Sequence, residues 1–94
     1  MIIALDYDDT YTADPILWDL FIKQAKQRGH KVFCVTMRYA DKENQEVEEN
    51  LGDKVDRIIY TNRKAKKIAF RIQYGGNPDI WIEDTPEWLF EDAR

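Results

Sequence analysis

Four short segments of the chain carry residues whose types and spacing could do chemistry. Asp6, Asp8 and Asp9 follow an apolar N-terminal run, and Thr36 closes a second apolar run. Arg63, Lys64, Lys66 and Lys67 crowd one stretch, and Glu83 and Asp84 close another apolar run. Carboxylates brought close together cost several kcal/mol unless protonated or bridged by a cation. Oxygen-only ligation at high charge suits Mg²⁺, which takes a few carboxylates, waters and a substrate phosphate. A single Cys34 and a single His30 leave no ligand set for a soft metal. A hydroxyl, a lysine, a metal and a carboxylate around one phosphate are the parts that phosphoryl transfer needs.

Apolar periodicity predicts the elements that position these groups. Residues 2–6 (IIALD) form a short run apolar on both faces, which predicts a buried strand. Asp14 and Pro15 open a helix with apolar positions Leu17, Leu20, Phe21 and Ala25, ended by Gly29. Residues 31–36 (KVFCVT) predict a second strand. Residues 41–51 predict a polar helix anchored by Val47 and Leu51 and stopped by Gly52. Residues 57–61 (RIIYT) predict a third strand, and residues 63–73 a helix with Ala65, Ile68, Ala69 and Ile72 facing the core. A turn over residues 75–78 leads to a fourth strand, residues 80–83 (IWIE), and Thr85-Pro86 caps a short helix carrying Trp88, Leu89 and Phe90. This alternation predicts a three-layer, Rossmann-like α/β sandwich with a parallel sheet of about four strands, in one domain over residues 1–94.

Ligands of such sheets bind at the carboxyl ends of the strands, where strand order reverses. Asp6, Thr36, Thr61 and Glu83-Asp84 all fall at predicted strand ends. The cations of residues 63–67 sit in the first turn of a predicted helix, where the macrodipole disfavours them by about 0.3–1 kcal/mol each. Such a cluster calls for an anion nearby.

At this point the sequence resembles the haloacid dehalogenase-like phosphohydrolases. Their first motif, two aspartates two apart and then Thr or Val after an apolar strand, is matched by Asp6-Tyr7-Asp8-Asp9-Thr10. The second, an apolar strand ending in Thr or Ser, is matched by residues 32–36; the third, a lysine near a helix start, by residues 63–67. The fourth, an acid pair ending an apolar strand, is matched by Glu83-Asp84. The resemblance implies that Asp6 is a nucleophile forming an aspartyl-phosphate and that Asp8 is the acid and base for the leaving group and water. It implies Mg²⁺ held by Asp6, Asp8 (through its backbone carbonyl), Asp84 and Glu83, with Thr36 and a lysine holding the phosphoryl oxygens. Lys66 is favoured over Lys64 and Lys67. Many members carry a cap domain, but one helix fills each of the two spacers that could hold one, so a capless, open site is expected.

Other residues have plainer readings. Arg38, two after Thr36, is a candidate contact to substrate phosphate or leaving group. Tyr7 and Tyr11 flank the proposed nucleophile; Trp81 and Trp88 read as core; Cys34 reads as an inert buried thiol. With 14 basic and 18 acidic residues the net charge is −4, which argues against a broad nucleic-acid footprint. It leaves a small phosphorylated substrate or a phosphorylated nucleic-acid end as partner. The lone cysteine, an N-terminus that turns acidic after five residues and the lack of a long apolar run predict a cytoplasmic protein without signal peptide or membrane span. The alternative reading is a non-catalytic module that binds phosphate or metal, or is phosphorylated as receiver domains are. Receiver domains, however, need five βα units and a phosphorylated aspartate on a middle strand, and the third strand here ends in Thr61.

Overall fold

The computed structural model describes residues 1–94. Four strands form one sheet: β1 (Ile2–Leu5), β2 (Lys31–Thr36), β3 (Arg57–Tyr60) and β4 (Ile80–Ile82). Their spatial order is β3-β2-β1-β4 and every pairing is parallel. The register sets Ile3 beside Val32 and Ile80, and Leu5 beside Cys34 and Ile82. The chain steps outward from β1 to β2 to β3, then returns across the sheet to the far side of β1. Strand order therefore reverses between β1 and β4.

Three helices make the crossovers: α1 (Pro15–Gln27), α2 (Gln45–Leu51) and α3 (Lys66–Tyr74). Keeping the crossovers right-handed while the direction of travel reverses puts α3 on the opposite face from α1 and α2. The two cores follow that division. On one face Ile3, Leu5, Val32 and Cys34 pack with Ile22 and Ala25 of α1 and Val47 and Leu51 of α2. On the other, Ala4, Phe33, Val35 and Ile59 pack with Phe70 of α3, and Tyr74 and Trp81 close the edge. The result is a three-layer α/β fold of Rossmann-like type, with a radius of gyration of 12.2 Å. No helix is long and apolar enough to cross a membrane.

Local chemistry sets the ends. The Asp14 carboxylate accepts the Leu17 amide at 3.1 Å and caps α1, and Pro15 takes its first position. The chain leaves α3 through Gly75 at φ 97°, a conformation that costs glycine little. Several elements depart from the periodicity reading. In α1 the inward residues are Ile22 and Ala25, whereas Leu17 and Leu20 are 52% and 64% exposed. In α3, Ile68 and Ile72 face outward and the inward face is Lys66, Ala69 and Phe70. α2 starts at Gln45 instead of Asp41, because Glu43 is spent on a turn, its carboxylate accepting the Tyr39 amide at 2.9 Å. The final helix is a single tight turn, Pro86–Leu89, in which only Leu89 is buried.

Candidate active site

Asp6 follows β1 and still donates its amide to the Ile82 carbonyl at 3.0 Å. The chain then enters a wide turn, residues Tyr7–Tyr11, closed by two bonds that each span five residues: Tyr11 to the Asp6 carbonyl (3.3 Å) and Thr12 to the Tyr7 carbonyl (3.1 Å). Inside it Asp8 is extended and Asp9 is left-handed at φ 65°, a conformation Asp tolerates better than most residues. The turn folds Thr10 back over Asp6. Its hydroxyl lies 2.9 Å from Asp6 Oδ2 and 3.2 Å from Asp84 Oδ1, so one proton serves two carboxylates in turn.

The reversal of strand order brings the end of β4 beside the end of β1. Carboxylate oxygens of Asp6, Glu83 and Asp84 lie within 4.8 Å of one another. Lys66 enters from the first turn of α3 with its side chain 1% exposed. Its ammonium donates to Asp6 Oδ1 at 2.6 Å and also to Glu83. The other two lysines turn away: Lys64 lies 3.8 Å from Asp92, and Lys67 sits over the Phe90 ring. Burial pushes the Asp6 carboxyl up to about 8 against the pull of Lys66. Asp84, more open, is held below the ordinary aspartate range by its hydrogen bond with Asp6.

A small cavity of about 90 Å³ opens over Asp6, Lys66, Glu83 and Asp84. Asp8 lines its rim, with Met37 and Trp88 as apolar walls. A larger cavity of about 470 Å³, lined by Lys23, Lys26 and Lys54, gathers no comparable carboxylates, so chemistry and not size locates the site. Asp6, Glu83 and Asp84 offer oxygen only and could hold a hard cation, with Lys66 supplying the one fixed positive charge. The Asp8 carboxylate stays outside this group and forms a two-pronged pair with Arg38, at 3.0 Å to Nε and 2.8 Å to Nη2. Thr36 is buried at the end of β2, does not line the cavity, and accepts the Arg38 amide at 3.3 Å.

Tyr7 and Tyr11, which follow Asp6 in sequence, turn inward and stack at 5.6 Å inside the α1 core. Trp81 packs on Phe70 as expected of a core residue, but Trp88 borders the cavity instead. Cys34 is fully buried and burial pushes its thiol up, which fits an inert role. His30 contacts the N-terminus, at the other end of the strands. Sequence reasoning gave Thr10 no role of its own and passed over Asp92. Asp92 accepts the Ala65 amide at 2.8 Å at the start of α3. The signal for it was the run of cations there, which calls for an anion.

Compared with protein-family models, curated proteins and solved structures, the chain matches none. The functional reading therefore rests on its own residues and their geometry.

Proposed function

We propose that the chain is a Mg²⁺-dependent phosphomonoester hydrolase of the haloacid dehalogenase type, acting through an aspartyl-phosphate on Asp6. The observation that carries this reading is the meeting of Asp6 from β1, Glu83 and Asp84 from β4 and the buried Lys66 ammonium around one cavity. Mg²⁺ held by Asp6, Asp84 and Glu83 would neutralise the phosphoryl oxygens and keep Asp6 ionised.

A carboxylate oxygen of Asp6 attacks phosphorus, the P–O bond to the leaving group breaks, and Asp8 gives that oxygen its proton. Asp8 then takes a proton from water, whose oxygen attacks the same phosphorus and frees phosphate and Asp6. Lys66 fixes the Asp6 rotamer and opposes the charge that develops on the phosphoryl group. Glu83 spends one oxygen on Lys66 and the other on the Thr85 amide; Asp84 accepts hydroxyls from Thr10 and Thr85 and is exposed, which makes it the more open ligand. No cap interrupts the chain, since only the Tyr7–Tyr11 turn and α1 lie between β1 and β2, and α3 is the one helix between β3 and β4. The open site suits a small phosphorylated metabolite or the phosphorylated end of a nucleic acid.

Incubation with p-nitrophenyl phosphate and Mg²⁺ should release nitrophenol, and chelator or Asp6→Asn should abolish it. Turnover that survives Asp6→Asn overturns the mechanism. A stable phosphoprotein without turnover would favour the receiver-like alternative.

A further inference from the structure

Asp8 is extended and sits at a kink in the turn, directly before the left-handed Asp9. Its side chain is half exposed, yet both oxygens are held by Arg38. The guanidinium is itself fixed from other directions. It lies 5.1 Å from the centre of the Tyr7 ring, donates Nη1 to the Glu43 carbonyl at 3.2 Å, and has Glu46 at 3.6 Å. Tyr7 is buried and its hydroxyl is held by Glu46 at 2.6 Å and Asn50 at 2.8 Å, both from the α2 segment. Asp8 is among the residues lining the cavity over Asp6 and Arg38 is not, so the guanidinium reaches the rim of the cavity only through its pair with Asp8.

We propose that Arg38 is a positioning residue that aims the Asp8 carboxyl at the leaving group, and is not a clamp on the substrate phosphate. This rests on the phosphatase reading above. Arg38 has committed Nε, Nη1 and Nη2 to protein acceptors, which leaves few donors for a substrate. A planar fork is what two-point alignment of a carboxyl requires, and a lysine cannot reproduce it.

The test uses two substrates with Mg²⁺: p-nitrophenyl phosphate, whose leaving group departs without a proton, and glycerol phosphate, whose alkoxide needs one. Arg38→Gln and Arg38→Lys should lower kcat on glycerol phosphate about 10-fold or more beyond any loss on nitrophenyl phosphate, with KM little changed. In an Asp8→Asn background, Arg38→Gln should add no further loss, because a residue that acts only through Asp8 has nothing left to act on. Equal losses on both substrates with a raised KM, or additive losses in the double variant, overturn the inference. If Asp6→Asn is inactive throughout, the phosphatase reading survives that result.

Nitrogen NMR of the Arg38 Nε–H gives a readout that needs no turnover and no Arg38 variant. The signal should move in Asp8→Asn and stay fixed as inorganic phosphate and Mg²⁺ are added. Movement with phosphate and none with Asp8→Asn overturns the inference.

Discussion

Lys66 joins the stability of the fold to the chemistry proposed for it. It is an ammonium without access to water, flanked by Asp6 and Glu83, whose side chains are 7% and 4% exposed. Removing one member of a buried ion pair leaves the other uncompensated and costs about 3–5 kcal/mol. Lys66→Met should lower the urea-unfolding free energy of the chelated protein by that amount. Added Mg²⁺ should recover part of it, since a ligand of the folded state stabilises by mass action. A variant as stable as wild type in chelator would show that the lysine is not the counter-charge described. Glu43 carries a different sensitivity. The Tyr39 amide, with Arg63 beside it, holds this carboxyl below its ordinary value of 4.5. In the window between the folded and unfolded values the unfolded chain binds more protons, so stability rises with pH across it. The contribution is present above pH 4.5 and is lost as pH falls through the depressed folded value. Glu43→Gln should therefore lower the thermal midpoint at neutral pH, and the gap from wild type should narrow as pH falls below 4.5.

At the scale of elements, α3 teaches most about what sequence patterning carries. Its residues offer two stripes at helical spacing, one through Ala65, Ile68, Ala69 and Ile72, the other through Lys66, Ala69 and Phe70. Hydrophobicity alone selects the first. The protein uses the second, because Phe70 fills the space against Phe33 and Trp81 while Lys66 reaches Asp6. A charged residue in the core layer cannot be found by periodicity; it is found by asking which carboxylates lack a partner. The same limit explains α1, where Trp18 and Phe21 lean on the core edge and Leu17 and Leu20 face out. Strand positions were legible because short runs apolar on both faces have few other uses, and with them the strand ends that gather Asp6, Glu83 and Asp84. The Arg38–Asp8 pair was not, since two residues 30 positions apart carry no local signal of it. The C-terminal segment belongs here too. Asp92 acts as a cap for α3 from a distant part of the chain, and Ala93 donates to the Arg63 carbonyl at 2.7 Å. Asp92→Ala should cost about 1 kcal/mol in urea unfolding, the usual worth of a helix cap. An unchanged midpoint would mean that water serves the Ala65 amide equally well.

For the whole molecule, the thin sheet leaves one flank of α1 uncovered: Ile16, Leu17 and Leu20 are 75%, 52% and 64% exposed. Substitution there should be nearly free, with Leu20→Gln within about 0.5 kcal/mol of wild type. Ile22→Ala, one turn position inward at 2% exposure, should cost about 2–5 kcal/mol by urea unfolding. Equal costs would mean that the flank is covered in solution. The reversal of strand order has a consequence of its own. It gathers three carboxylates against a single ammonium, and the surplus is negative. On the phosphatase reading proposed above, a phosphate ester arriving unaccompanied would meet repulsion, and a divalent ion arriving first would turn the crevice hospitable. Ester and ion would then bind as companions, each raising the other's affinity by the same factor. Physiological control of such a protein would lie as much in the supply of the ion as in the abundance of the ester.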